Sequence, residues 1–321
     1  MIAPLAKLID WSAIQTVGIL RPREHAGDSQ LKEALDFVNG PDFIPTESQP
    51  ARLEFEGSLH FRFPTPRPCA VTENNVVYGR FYRCAGRWQE RPVIVLLHGR
   101  GDVLNHRHRF PWIARRCNRD GFNVATLEAP YYFQRRPRPP QALRWPNYML
   151  LTGTAAQAVA EIRALTGWLL EQGCPAVALW GISYSAWLTG LTVCHDRRLA
   201  AAVLTIPGGR LYAWLEGQTV WRGIRRTLPE KRGALEALNR TALNLATIQP
   251  VISKENVLLI DAIHDLMVPK DAMRELWQAW GQPELWRLPH GHVSVVCMTT
   301  SRLTERILCW LTPRLESFTA R

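Results

Sequence analysis

The sequence predicts an α/β fold: a mostly parallel, doubly wound sheet preceded by an antiparallel strand pair and interrupted by an inserted helical cap. Three observations carry this. From about residue 93 onward, short β-branched apolar runs alternate with longer stretches of helical spacing, the mark of crossover units between parallel strands. Ahead of them, Leu53 to Phe63 and Val76 to Tyr82 flank the turn-rich Pro64 to Asn75, as an antiparallel pair does. Between Gly208 and Pro250 the alternation gives way to Trp-, Arg- and Leu-rich amphipathic sequence, the place for a cap.

Residues 1–52 read as a helical extension and linker: Leu31 to Val38 has helical spacing, and Gly40 to Pro50 is Pro-bearing. The main domain is expected over 53–321, with the cap at about 208–250. Its strands are predicted at Val93 to Leu97, Phe122 to Leu127, Ala176 to Trp180, Ala200 to Ile206, Val257 to Ile260 and Leu285 to Leu288. Helices are predicted at Arg107 to Asp120, Leu150 to Gln172, Ser185 to His195, Lys270 to Trp280 and Ser294 to Leu311. Met1 to Leu20 is apolar, but Asp10 interrupts the run and no small-x-small cleavage site follows, so a signal peptide is not expected. No apolar run reaches the ~18 residues of a transmembrane helix.

A chain of 321 residues, 46% hydrophobic and 21% charged, has the balance of a globular protein and excludes disorder and collagen. The net charge of +11 calls for an anionic partner or surface without bearing on the fold. Only Lys7, Lys32, Lys231, Lys254 and Lys270 are lysines, leaving 34 arginines. Coding composition accounts for such a bias without function, while guanidinium groups suit carboxylates and phosphates. Seven scattered cysteines without a C-x-x-C pair suggest neither a disulfide framework nor a zinc site, and reduced thiols fit a cytoplasmic protein.

Ser183 lies in Gly181-Ile182-Ser183-Tyr184-Ser185, directly after one apolar run and before a helical pattern. A hydroxyl becomes a useful nucleophile when a base takes its proton, and a tight strand-to-helix turn exposes it beside backbone N–H groups. The plain alternative is a helix N-cap serine. A second G-x-S, Gly27-Asp28-Ser29, has no preceding strand and sits in a charged loop, so Ser29 is set aside. Asp265, in Asp261-Ala262-Ile263-His264-Asp265-Leu266-Met267-Val268-Pro269, stands just past a strand, where sheet enzymes place their sites. Asp261 is its competitor, and capping of the next helix is the plain alternative for either. His292, in Leu288-Pro289-His290-Gly291-His292, follows the last strand and can shuttle a proton while a carboxylate fixes its tautomer. Finally, His98-Gly99-Arg100-Gly101 follows a buried run, and the N–H of Arg100 or Gly101 with that of Tyr184 would form an oxyanion hole.

The succession H-G-x-G, G-x-S-x-[GS], D-x-x-V-P and G-H resembles the α/β-hydrolase superfamily over about 93–312. Within it, Glu128-Ala129-Pro130-Tyr131-Tyr132 followed by Arg135, Arg136 and Pro137 is similar to the E-N-P-Y-Y…R-x-P segment of the alpha/beta hydrolase domain-containing protein eighteen family. The superfamily resemblance implies Ser183 as nucleophile, His292 as base and Asp265 as its orienter, acting on esters, thioesters or amides. Two departures stand out: Ser185 replaces the usual glycine, which should alter packing without abolishing activity, and His290 precedes His292 by two and is a second imidazole for substrate contact or structure.

His98, His106 and His108 lack the carboxylate or cysteine company of a zinc site, and neither a dinucleotide fingerprint nor a Walker loop is present, so no metal or cofactor is expected. Rim arginines, among them Arg135 and Arg136, together with Tyr131 and the cap residue Trp214, are the expected substrate-binding residues. Their charge suits an anionic small-molecule or lipid ester and transient contact with an anionic membrane, each basic residue contributing ~1 kcal/mol. A solvated charged face is the plain alternative. The basic residues do not form a recognition helix, so nucleic acid is not expected as a partner; oligomeric state is not legible. The reading is a serine hydrolase cleaving a carboxylic ester or thioester, with a catalytically silent binding protein of the same fold as the rival and a peptidase as a third option.

Overall fold

The computed structural model describes residues 3–17, 28–100, 102–137, 148–210, 233–234, 236–298 and 301–318. Helices α1 (Ala3–Val17) and α2 (Asp28–Asn39) lead into a nine-stranded sheet: β1 (Glu54–Glu56), β2 (His60–Pro64), β3 (Val76–Tyr82), β4 (Val93–Leu97), β5 (Asn123–Leu127), β6 (Val177–Ile182), β7 (Ala201–Thr205), β8 (Val257–Ala262) and β9 (Glu284–Leu288). Its order is β1-β2-β3-β5-β4-β6-β7-β8-β9. The first three strands and the β3/β5 pair are antiparallel, and every later pairing is parallel. The expected single strand at 53–63 is in fact a hairpin, because a turn over residues 57–59 reverses the chain between two short strands.

The crossover helices are α3 (Phe110–Arg119), α4 (Tyr148–Glu171), α5 (Tyr184–Val193) and α6 (Lys270–Ala279), followed by α7 (His292–Met298) and α8 (Ser301–Phe318). The one helix expected over 294–311 is therefore two.

β4 shows why the strands form. All five of its residues are buried, Val93, Val95 and Leu97 toward one core and Ile94 and Leu96 toward the other. Successive side chains of a strand point to opposite faces, so a run with no polar position suits a strand covered on both. Val159 and Leu165 of α4 with Leu188 and Leu191 of α5 fill the first core; Ile113 of α3 with Ile307 and Leu311 of α8 fill the second. Each such aliphatic side chain contributes roughly 1.5–3 kcal/mol on full burial.

Both flanking segments join this body. Phe43 and Ala51, from the stretch expected as a linker, are buried in the first core, and the Arg163 guanidinium of α4 donates to the carbonyls of Pro45 and Thr46. At the other end Leu238, Leu243 and Leu245 are fully buried, and the Trp187 indole donates to the Leu243 carbonyl at 2.9 Å. Most of the expected cap, residues 211–232, lies outside the described residues. Among the described residues no helix is long and apolar enough to cross a membrane.

The parallel strands deliver their C-terminal ends to one edge of the sheet, the edge where open α/β sheets present their ligand sites. There the loops after β4, β5, β6, β8 and β9 begin at His98, Glu128, Ser183, Ile263 and Pro289.

Candidate active site

Ser183 stands between β6 and α5 with φ 55° and ψ −118°. A side chain in that region of backbone space is strained by about 1–3 kcal/mol and persists only where its surroundings impose it. Here the Ser183 N–H donates to the Thr205 carbonyl at 2.8 Å, while its own carbonyl accepts from Ala186 at 2.9 Å and opens the helix. The turn is tight enough that a Cβ on Gly181 would fall 2.2 Å from the Ser185 carbonyl and 2.3 Å from Thr189 Oγ1. The Ser183 hydroxyl does not cap α5. It lies instead 2.8 Å from His292 Nε2.

His292 is the first residue of α7 and 8% exposed. Its Nδ1 is 2.8 Å from Asp265 Oδ2. With the ring proton on Nδ1, donated to that carboxylate, Nε2 is left as the acceptor facing the Ser183 hydroxyl. Burial alone would lower the imidazole's pKa, but the Asp265 carboxylate, by charge and hydrogen bond, and the nearby Asp10 outweigh it and hold it above the ordinary value. The other oxygen of Asp265 accepts the N–H groups of Met267 and Val268 at 2.6 and 2.8 Å, fixing the carboxylate from below.

The two competing candidates lie elsewhere. Asp261 is still within β8, with its carboxylate 4.0 Å from Arg287 Nε; burial, then the charge of Asp265, raises its pKa. His290 is half-buried, accepts the His264 N–H on its carbonyl at 3.0 Å and takes no part in the Ser183–His292–Asp265 chain.

Tyr184 opens α5, so its N–H is one of those a helix leaves without an intrahelical acceptor. Gly99 lies against the same turn: a Cβ there would be 3.5 Å from Ser183 Cβ. Arg100 follows it at the surface. His98 spans two strand ends, its Nδ1 donating to the Gly99 carbonyl at 2.8 Å and its Nε2 accepting the Ala129 N–H at 2.9 Å. Burial pushes its pKa down to about 4, so the ring is neutral. Ser185, at the position where a glycine is usual, is 2% exposed, and its hydroxyl donates to the His98 carbonyl.

Two of the expected substrate-binding residues face inward. Arg135 is 0% exposed, and its guanidinium makes two hydrogen bonds of 2.7 and 2.6 Å to the Glu161 carboxylate of α4, and others to the carbonyls of Glu128 and Asn74. A guanidinium so committed ties the loop after β5 to α4 and is closed to a substrate. Tyr131 is 6% exposed, with its hydroxyl 3.5 Å from Cys69 Sγ. Arg136 does reach the surface, and it lines a cavity of about 500 Å³ together with Arg80, His106, Arg107, Tyr132 and the acidic Glu128, a lining that includes none of Ser183, Asp265 and His292. Trp214 lies outside the described residues.

One residue of the site escaped the sequence reading. Asp10 of α1 is 0% exposed and accepts the backbone N–H of His292 at 2.8 Å. Its only trace in the sequence is a lone acid within an apolar run.

A model of the family described as alpha/beta hydrolase domain containing 18 matches residues 42–214. Two uncharacterized proteins of Mycobacterium tuberculosis, from strains CDC 1551 and H37Rv, are each 26% identical over 178 residues, 54% of this chain and 42% of theirs. The match thus spans less than half the length of those relatives. Among solved structures, acetyl xylan esterase 1 from Thermoanaerobacterium sp. superposes with a TM-score of 0.59 at 12% identity, over 90% of this chain and 92% of that one. The Pyrococcus furiosus esterase Pf2001 gives a TM-score of 0.55 at 14% identity over 84% and 100%, and the α/β hydrolase GrgF from Penicillium sp. 0.55 at 13% over 80% and 98%. The fold is that of the α/β hydrolases.

Proposed function

This chain belongs to the alpha/beta hydrolase domain containing 18 family, and from that premise we propose that it is a serine hydrolase cleaving a carboxylic ester or thioester through an acyl-enzyme. The observation that carries the reading is the run of two 2.8 Å hydrogen bonds from Ser183 Oγ through His292 to Asp265, set at a strained strand-to-helix turn.

In this reading His292 Nε2 takes the Ser183 proton as Oγ attacks the carbonyl carbon, and Asp265 steadies the imidazolium that forms. The backbone N–H groups of Tyr184 and Arg100 receive the oxyanion, a contribution of roughly 3–4 kcal/mol per donor in hydrolases of this kind. Collapse of the tetrahedral intermediate breaks the bond to the leaving group, which takes the proton from His292. Water, deprotonated by the same imidazole, then releases the acid and restores Ser183. The exposed Arg136, with Arg80 and Arg107 beside it, favours an anionic substrate reaching over this rim, and the free thiols of Cys69, Cys84, Cys117, Cys174, Cys194 and the exposed Cys309 support a reducing compartment such as the cytoplasm.

Labelling by a fluorophosphonate probe tests the assignment. Wild type should be labelled and turn over p-nitrophenyl esters; Ser183→Ala should lose both, while Ser29→Ala retains them. Folded wild-type protein that takes up no label would overturn it in favour of a silent binding protein of the same fold.

A further inference from the structure

The N-terminal helix reaches into the site through a single carboxylate. Helix α1 packs on α7, and Asp10, wholly buried between them, accepts three backbone N–H groups from two loops. Oδ2 takes those of His292 at 2.8 Å and Leu266 at 3.1 Å, and Oδ1 takes that of Val293 at 2.9 Å. His292 carries the imidazole, and Leu266 directly follows Asp265. One rigid group therefore spans the loop after β8 and the loop after β9, whose relative placement sets the Asp265–His292 distance.

The fit is close. A Cβ on Gly291 would lie 2.6 Å from Asp10 Oδ2 and 2.7 Å from Oδ1, so a larger residue there would push the carboxylate off its donors. His292 and Val293 open α7, where N–H groups have no intrahelical acceptor, and Asp10 satisfies them from 282 residues away in the chain. Ser294 Oγ accepts the Gly291 N–H at 2.9 Å and completes the turn. A buried carboxylate is costly unless hydrogen-bonded, and three N–H donors are what hold this one.

We propose that Asp10 is a positioning residue of the hydrolytic site, locking the Asp265 and His292 loops together so that the imidazole stays aligned with Ser183. This rests on the reading of Ser183, His292 and Asp265 as the reacting group. Asp10 acts on the chemistry by geometry and, as a second negative charge beside Asp265, by favouring the protonated ring. Among the described residues, the other charged and titratable groups around the ring's loops include Asp261, which faces Asp265 and is itself accompanied by Arg287 and Lys270, and His264 and His290, joined by a backbone hydrogen bond.

The test compares Asp10→Ala, Asp10→Asn and, on the exposed face of the same helix, Lys7→Ala. Measured are kcat and KM for p-nitrophenyl acetate, the rate of fluorophosphonate labelling, the pH profile of kcat/KM and the melting temperature. Asp10→Ala should lose roughly 10²-fold in kcat with KM little changed, the scale of a 1 Å misplacement of reacting groups. Asp10→Asn keeps the shape and one acceptor oxygen, so it should fold, recover part of kcat and move the acid limb of the profile to lower pH. Lys7→Ala should match wild type. Asp10 variants that melt earlier but keep wild-type kcat and an unmoved acid limb would overturn the proposal while Ser183 labelling still stood. Wild-type protein that is not labelled at Ser183 would remove the reading beneath it as well.

Discussion

The Ser185 hydroxyl donates to the carbonyl of His98, so the turn that presents Ser183 is bound directly to the first residue of the loop after β4. In the proposed serine hydrolase the turn would bring the nucleophile and the Tyr184 oxyanion donor, and the loop the Arg100 donor. Ser185→Ala leaves a buried carbonyl without its donor, which costs about 1–3 kcal/mol. A loss of that size in urea unfolding, with weaker turnover from the loosened turn, is the expected result.

The pH profile follows from the burial of His292 between two carboxylates. Base catalysis needs a neutral ring, so kcat/KM should climb as pH rises through the pKa of His292, and charge from Asp265 and Asp10 holds that value above the ordinary 6.5. The acid limb should therefore fall above pH 6.5. The same shift favours the folded protein most below the unfolded-state value, and that contribution fades as pH rises through the folded one. A limb below the ordinary value would show that the two carboxylates do not govern the ring.

Asp265 and Asp261 should separate cleanly. Asp265→Asn removes the acceptor that fixes the His292 tautomer, and a loss near 10⁴-fold in kcat is the expected scale. Asp261→Asn alters a carboxylate 4.0 Å from Arg287 and outside the hydrogen-bonded chain, so its kcat should stay near wild type. Steady-state rates on one p-nitrophenyl ester decide between them.

Arg135 should matter for stability before it matters for substrate. Arg135→Met strands the Glu161 carboxylate, which is 2% exposed, and breaking a buried pair in this way costs roughly 3–5 kcal/mol. The double variant Arg135→Met/Glu161→Met should regain only part of that in chemical denaturation, because the Glu128 carbonyl loses its Arg135 donor and the Thr65 hydroxyl and Gln157 amide lose their Glu161 acceptor.

Arg136, by contrast, should read out in substrate preference. Arg136→Glu should raise KM several-fold for an ester with a carboxylate tail at low salt, leave a neutral ester unchanged, and lose the difference at high salt as the charges are screened.

How much of this was legible in the sequence depended on where each signal resides. The parallel strands announced themselves because Val93–Leu97 and Val177–Ile182 are buried on both faces and hold no polar side chain. Ser183 stands just past such a run, Asp265 past β8, which carries Asp261 near its end, and His292 past β9, which is half-exposed, so these positions were legible from strand ends rather than from uniformly apolar strands. The hairpin at β1 and β2 was not, since strands of three and five residues joined by a three-residue turn read as one stretch of alternating apolar and polar residues. Arg135 was misread as a surface charge because its partner Glu161 belongs to α4 and is found only by folding. Asp10 was invisible for the same reason at far greater separation.

The 282-residue span between Asp10 and His292 also bears on when the molecule becomes competent. If Ser183 and His292 act together as proposed, a growing polypeptide exposes its serine while the imidazole has still to be synthesised, and the ribosome-bound chain would be inert toward esters. Under the proposed reading, full reactivity arrives once the first helix has met the loop after β9, which would make turnover a report that the whole body has closed.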